Sequence, residues 1–271
     1  MANRQPAPRR WYAVAAAVVV AVFLLPPVGG YARHYVFVES LQFALFAMVV
    51  PALVVLAAPW RLARLSRGDA TDATYRAAGH GGPADRLAMS RHRHPSFVRA
   101  TGFLAVFTAT SVAWRLPVAV NELARQPALA VAEMATLLAA GAGLWLELVE
   151  SPPLAPRLAR PQRAAIAALA MWTTWILAYV LGFSHVAWYR AYTRGSGLSP
   201  VADQQIATIT LWAVAAACFV PVVFATMMFW LRDSDDPDDE LRRAVGGPPR
   251  RPGVKGWRPP ADPGGRRWMR R

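Results

Sequence analysis

Seven polar residues stand inside or beside long apolar runs: Glu39, Arg115, Glu133, His185, Asp203, Gln204 and Gln205. Carboxylates and imidazole can hold a metal or move a proton. A guanidinium can neutralise one or more carboxylates through paired N–H···O bonds. Ionisable groups are costly in hydrocarbon, so each of these residues needs a partner or a task. The bland alternative is a structural network in which Arg and Glu lock helices together or reach to water. His34 and His185 are the histidines on the same side, and a lone interfacial His reads as a solvated or capping group. Asp203 has a second reading. It follows Ser199-Pro200 at the head of an apolar run, where a carboxylate would cap that run's own helix.

Other candidates carry less. Arg91-His92-Arg93-His94, with His80 upstream, offers a His-x-His pair, but flanking arginines repel a cation and a solvated loop is the better reading. Cys218 is the one cysteine, so neither an internal disulfide nor a Cys-Cys clip is available; it reads as a packing residue. Trp145, Trp172, Trp175 and Trp212 read as packing, and Trp188, Tyr189 and Tyr192 as an interfacial aromatic belt. No P-loop, dinucleotide fingerprint, Ser-His-Asp set or zinc-protease helix occurs. The chain is therefore read as a non-enzyme.

The elements that must position these groups are apolar runs of membrane-crossing length. Six are read: Trp11 to Val28, Val36 to Trp60, Val98 to Val120, Pro127 to Glu147, Ala164 to Ser184, and Ile206 to Leu231. Each can be helical throughout, which satisfies its backbone within hydrocarbon. Kinks are expected at Pro51 and Pro221. Of 30 Lys and Arg residues, 25 fall in the N-terminal stretch, the loops after the second and fourth runs, and the tail; the alternate loops hold 5. That asymmetry places both termini in the cytoplasm. It also explains the net charge of +14 without nucleic acid, for which no soluble basic module is present.

The expected fold is all-α, a polytopic membrane bundle of about six transmembrane helices. Residues 1–10 form a basic cytoplasmic N-terminus, 11–232 the membrane domain with a cytoplasmic loop at about 61–97, and 233–271 a tail. The tail joins an acidic block to a basic Pro/Gly-rich stretch and reads as disordered, its basic end suited to membrane lipids. An alternative for the first run is a cleaved signal peptide. In this topology the seven polar residues share one depth in the outer leaflet, where a bundle brings them together. The inner halves of the spans read as dry.

The residues also resemble a family. Leu198-Ser-Pro-Val-Ala-Asp-Gln-Gln-Ile206 with Trp212 is similar to the SPxxDQQ…W signature of the polytopic CtaG family of cytochrome c oxidase assembly factors. Leu41-Gln42, Pro51 and Leu56-Ala57-Ala58-Pro59-Trp60-Arg61-Leu62 resemble its second-helix pattern. His94-Pro95 resembles its HP, Trp114-Arg115-Leu116-Pro117 its WHLP, and Glu133 its EH pair. The likeness runs from about Leu25 to Arg232. It implies an assembly factor for a haem-copper oxidase in a bacterial inner membrane, with oxidase subunits as partners and copper as the metal handled. This sequence departs where the resemblance sets histidines: Glu39 and Phe43 stand for the pair in HMxQH, Arg115 for the WHLP histidine and Met134 for the EH histidine. Glu39, Met134 and His185 are then the candidate copper ligands. The expected role is chaperone or scaffold, with the histidine site replaced by a charge-paired network.

Two other classes compete. A small transporter would run a substrate or proton path through Glu39, Arg115, Glu133 and Asp203, but needs ionisable groups across the whole membrane depth. An intramembrane enzyme needs an acid, base or nucleophile set that these residues do not supply.

Overall fold

A computed structural model describes residues 9–25, 28–62, 91, 96–151, 154, 156–192, 197–233 and 245. The N-terminus before Arg9, most of the 61–97 loop with His80, His92 and His94, and the tail apart from Asp233 and Val245 lie outside the described residues. Every regular element is helical, with no strand among the described residues. The chain is an all-α membrane bundle.

Among the described residues, five helices are long and apolar enough to cross a membrane. They are α2 (Val36–Ala57), α3 (Ser96–Arg115), α5 (Pro127–Leu148), α6 (Arg160–Gly182) and α7 (Pro200–Asp233). The first apolar run forms α1 (Arg10–Leu24), of 15 residues. At 1.5 Å per residue it is about 22 Å long, against a hydrocarbon core of roughly 30 Å. It ends where Leu25 turns extended ahead of Pro26, as the residue before a proline must. A single helical turn, Val28–Tyr31, follows.

Proline sets two further boundaries. The third run, expected to continue to Val120, breaks at Leu116, which is extended before Pro117. A short amphipathic helix, α4 (Pro117–Arg125), begins there. Gln126 is extended before Pro127, which opens α5. Both prolines occupy the first helical position, where the missing N–H costs nothing. The break leaves Arg115 as the last residue of α3, where its charge complements the helix dipole.

Helix α6 lies along α7; α7 also packs on the first half of α2, and α1 on its second half. Helix α5 packs against α2 and α3. The apolar centre holds Phe107, Leu137, Leu144, Ile166 and Leu211, with Trp145 stacked on Phe219 at 5.5 Å.

Helix α2 does more than kink. Its turn Leu45–Val49 is π-helical, closed by the Val50 N–H on the Leu45 carbonyl. Pro51 follows and lacks the N–H that would bond the Ala47 carbonyl. Helix α5 meets that carbonyl at Gly141, where a Cβ would lie 2.3 Å from the Ala47 oxygen and 2.7 Å from Pro51 Cγ. Only a residue without a Cβ permits the approach.

Candidate functional site: a buried charge cluster at the outer end

Helix α2 brings Glu39, Ser40, Gln42 and Phe43 to the outer end of the bundle, α3 ends there on Arg115, and α5 adds Glu133 and Met134. Arg115 is 2 % exposed. Its Nη2 donates to Glu39 Oε1 at 2.5 Å and its Nη1 to Glu39 Oε2 at 2.8 Å. The same Nη1 donates to Ser40 Oγ at 2.8 Å. Glu133 is farther, at 3.8 Å. The guanidinium carbon sits 4.0 Å over the Phe43 ring, a cation–π contact strengthened by burial. Met134 Sδ accepts from Gln42 Nε2 at 3.0 Å.

Glu39, Phe43, Arg115 and Met134 are the four positions where the resemblance sets histidines, and they converge here. A cavity of about 220 Å³ opens beside them, lined by Glu39, Gln42, Glu133 and Met134 and closed by Leu24, Arg33 and Tyr192.

Asp203 and Gln204 belong to the surrounding frame. Asp203 does not cap its own helix. Its oxygens accept the N–H groups of Val36 and Phe37, both at 2.9 Å, so it caps α2 from across the bundle. Ser199 serves α7, its Oγ accepting the Ala202 N–H at 3.1 Å. Gln204 donates to the Leu181 carbonyl at the end of α6 and accepts the Trp188 N–H. Gln205 points elsewhere, onto an exposed apolar groove of about 590 Å³ with Tyr179, Ile209 and Trp212. His185 is exposed in the outer loop and does not line the cluster's cavity. Glu39, Arg115 and Glu133 are thus together, Asp203 and Gln204 adjoin them, and Gln205 and His185 stand apart.

Tyr189 and Tyr192 correct the aromatic-belt expectation. They are buried within the protein and do not face outward as a belt would. Tyr189 donates its hydroxyl to the Arg115 carbonyl at 3.1 Å. Burial pushes the Tyr189 phenol up to about 12 and raises Tyr192 further. Asn121 of α4 clamps this loop, donating to the Trp188 carbonyl and accepting the Ala191 N–H. Ser40, Gln42, Tyr189 and Asn121 escape sequence reasoning because their partners are distant in the chain.

The expectation of dry inner ends is also corrected. Glu147 is fully buried near the end of α5 and takes a fork from Arg99, Nε at 2.8 Å and Nη2 at 2.9 Å. Arg91 donates to the same carboxylate. A lone acid closing an apolar run, opposite a loop rich in Arg, was the available signal. Glu133 and Glu147 lie on one helix about 21 Å apart by helical rise.

Copper, the metal that the resemblance implies, does not fit the outer cluster. Both Glu39 oxygens are held by Arg115, and the Met134 sulfur already accepts a hydrogen bond. Guanidinium is no ligand, and its charge repels a cation. Among the described residues, no three of His, Cys, Asp and Glu gather as a metal site.

The chain matches the family described as cytochrome c oxidase caa3 assembly factor (Caa3_CtaG) over residues 2–233. No curated protein and no solved structure matches it.

Proposed function

The chain belongs to the cytochrome c oxidase caa3 assembly factor family, and on that premise we propose that it acts as a chaperone or scaffold for an oxidase subunit and not as a copper carrier. It is a membrane protein of oxidase assembly. The setting is a bacterial inner membrane, the partner is a haem-copper oxidase subunit, and no residue is assigned a catalytic role.

The observation that supports this reading is the placement of Arg115. A soft copper site needs imidazole, thiolate or thioether groups turned inward. Here a buried guanidinium stands among the four positions, paired with Glu39 and seated on Phe43. The cluster ties α2, α3 and α5 together at the outer surface, where a rigid frame would present a fixed face to a client.

Copper(I) titration of the purified protein against a chromogenic chelator tests this. The wild-type chain is expected to take up no stoichiometric copper. The variant carrying Glu39→His, Phe43→His, Arg115→His and Met134→His is expected to gain about one equivalent, since imidazole restores the missing donors. Stoichiometric copper in the wild type, lost on Met134→Ala, would overturn the reading.

A further inference from the structure

We propose that the cavity beside Glu133 holds the headgroup of one phosphatidylethanolamine molecule. This rests on the reading of the outer cluster as free of copper. The cavity, of about 220 Å³, lies among α1, the turn after it, α2, α4 and α5. Its lining sorts by depth. Glu39, Gln42, Glu133 and Met134 are buried, whereas Leu24, Arg33 and Val131 are exposed and form the mouth.

The buried acceptors are not equivalent. Both Glu39 oxygens are bonded to Arg115, and the Met134 sulfur to Gln42. Glu133 is 3 % exposed, and its Oε1 is buried without a hydrogen-bond partner, 3.8 Å from Arg115 Nη2. The Glu133 carboxyl meets that of Glu39 as well as Arg115, so two carboxyls share one guanidinium. A buried carboxylate needs a counter-ion of its own. A primary ammonium supplies one, with N–H donors for Glu133, and replaces the proton that such a carboxyl otherwise keeps.

The mouth decides which amine. Arg33 makes no ion pair among the described residues. Its guanidinium would repel a simple cation such as a lysine side chain, but it suits a phosphodiester. Leu24 and Val131, 53 % and 64 % exposed, offer apolar surface beside it. Ammonium inside, phosphate at the mouth and hydrocarbon beyond is the order of groups in phosphatidylethanolamine. Phosphatidylcholine carries the same phosphate, but its trimethylated nitrogen has no N–H to donate.

Native mass spectrometry of the full chain, released from micelles doped with phosphatidylethanolamine, phosphatidylcholine or phosphatidylglycerol, reads the site. One phosphatidylethanolamine is expected to be retained in preference to the other two. Glu133→Gln, close to isosteric, should cut the preference over phosphatidylcholine about tenfold, the equivalent of one charge-assisted hydrogen bond. Arg33→Gln should lower retention of phosphatidylethanolamine while keeping that preference. Its exposed position keeps the test open if Glu133→Gln fails to fold. Free phosphoethanolamine at millimolar concentration should not displace the lipid, since it lacks the chains that rest on Leu24 and Val131. Equal retention of phosphatidylethanolamine and phosphatidylcholine by the wild type, an unchanged preference in Glu133→Gln, unchanged retention in Arg33→Gln, or displacement by the free headgroup would each overturn the proposal. Copper titration of the same preparation is read separately, so loss of the lipid site and loss of the copper-free reading are told apart.

Discussion

Arg115 is fully enclosed, so its energetics follow the rules for buried ion pairs. Taking a charge out of water costs several kcal/mol, recovered only when every partner is present. Arg115→Met leaves the Glu39 carboxylate buried without its counter-ion and should cost about 3–5 kcal/mol. The triple change Glu39→Gln, Arg115→Met, Glu133→Gln removes all three ionisable groups together and should recover most of that loss. Denaturant unfolding in detergent checks both; a single Arg115→Met chain as stable as the wild type would mean that the pair holds nothing together. The convergence of Glu39, Arg115 and Glu133 was legible from residue type and depth, because isolated charges at one level of a bundle must find each other. Asp203 was misread because its capping role looked local: a carboxylate just inside an apolar run fits its own helix start, and only the packing of α7 on α2 shows that it serves another. Gln205 was misplaced for a similar reason. Gln204 and Gln205 are neighbours in sequence, but consecutive residues on a helix point about 100° apart, so one enters the frame and the other leaves it.

Helix boundaries were readable wherever proline decides them. Pro117 and Pro127 mark the starts of α4 and α5, and extending the third run through Leu116-Pro117 overlooked the rule for residues before proline. The π turn in α2 was harder to foresee. A kink at Pro51 was expected, whereas the extra residue in the preceding turn depends on what α5 offers opposite the Ala47 carbonyl. Gly141 is that feature, and it separates two kinds of tight contact. At Gly141 a Cβ would strike a backbone carbonyl, while at Gly143 it would meet the Phe103 ring 2.5 Å away, a side chain able to turn. Gly141→Ala should therefore destabilise by about 1–3 kcal/mol through forced separation of α2 and α5. Gly143→Ala should cost less. Equal unfolding midpoints for Gly141→Ala and the wild type would show that the close approach is not needed.

At the scale of the whole molecule, the all-α membrane class followed from apolar run length, and five of the six runs form helices long enough to span among the described residues. Run length is a long-range average and survives local errors. The length of α1 did not follow, since composition alone does not show that its helix stops before Pro26. The inner cluster of Glu147, Arg91 and Arg99 weakens one argument against a transport path, because charge is not confined to the outer leaflet. Physical separation of the two clusters stands against such a path instead. About 21 Å of helix α5 lies between the two clusters, packed with Leu137, Leu144 and Trp145 against Phe107 and Phe219. One cluster joins the outer ends of α2, α3 and α5 through Arg115, the other the inner ends of α3 and α5 through Arg99 and Glu147. Such a frame suits a molecule that holds a shape for a partner.

The most direct test of a copper-independent scaffold is made on membranes from a strain lacking this chain, grown with ample and with limiting copper. The measured quantities are a-type haem absorbance and terminal oxidase activity. The account predicts that both fall and that added copper does not restore them. Recovery of oxidase on copper feeding would contradict it, and would return Glu39, Met134 and His185 to consideration as metal ligands.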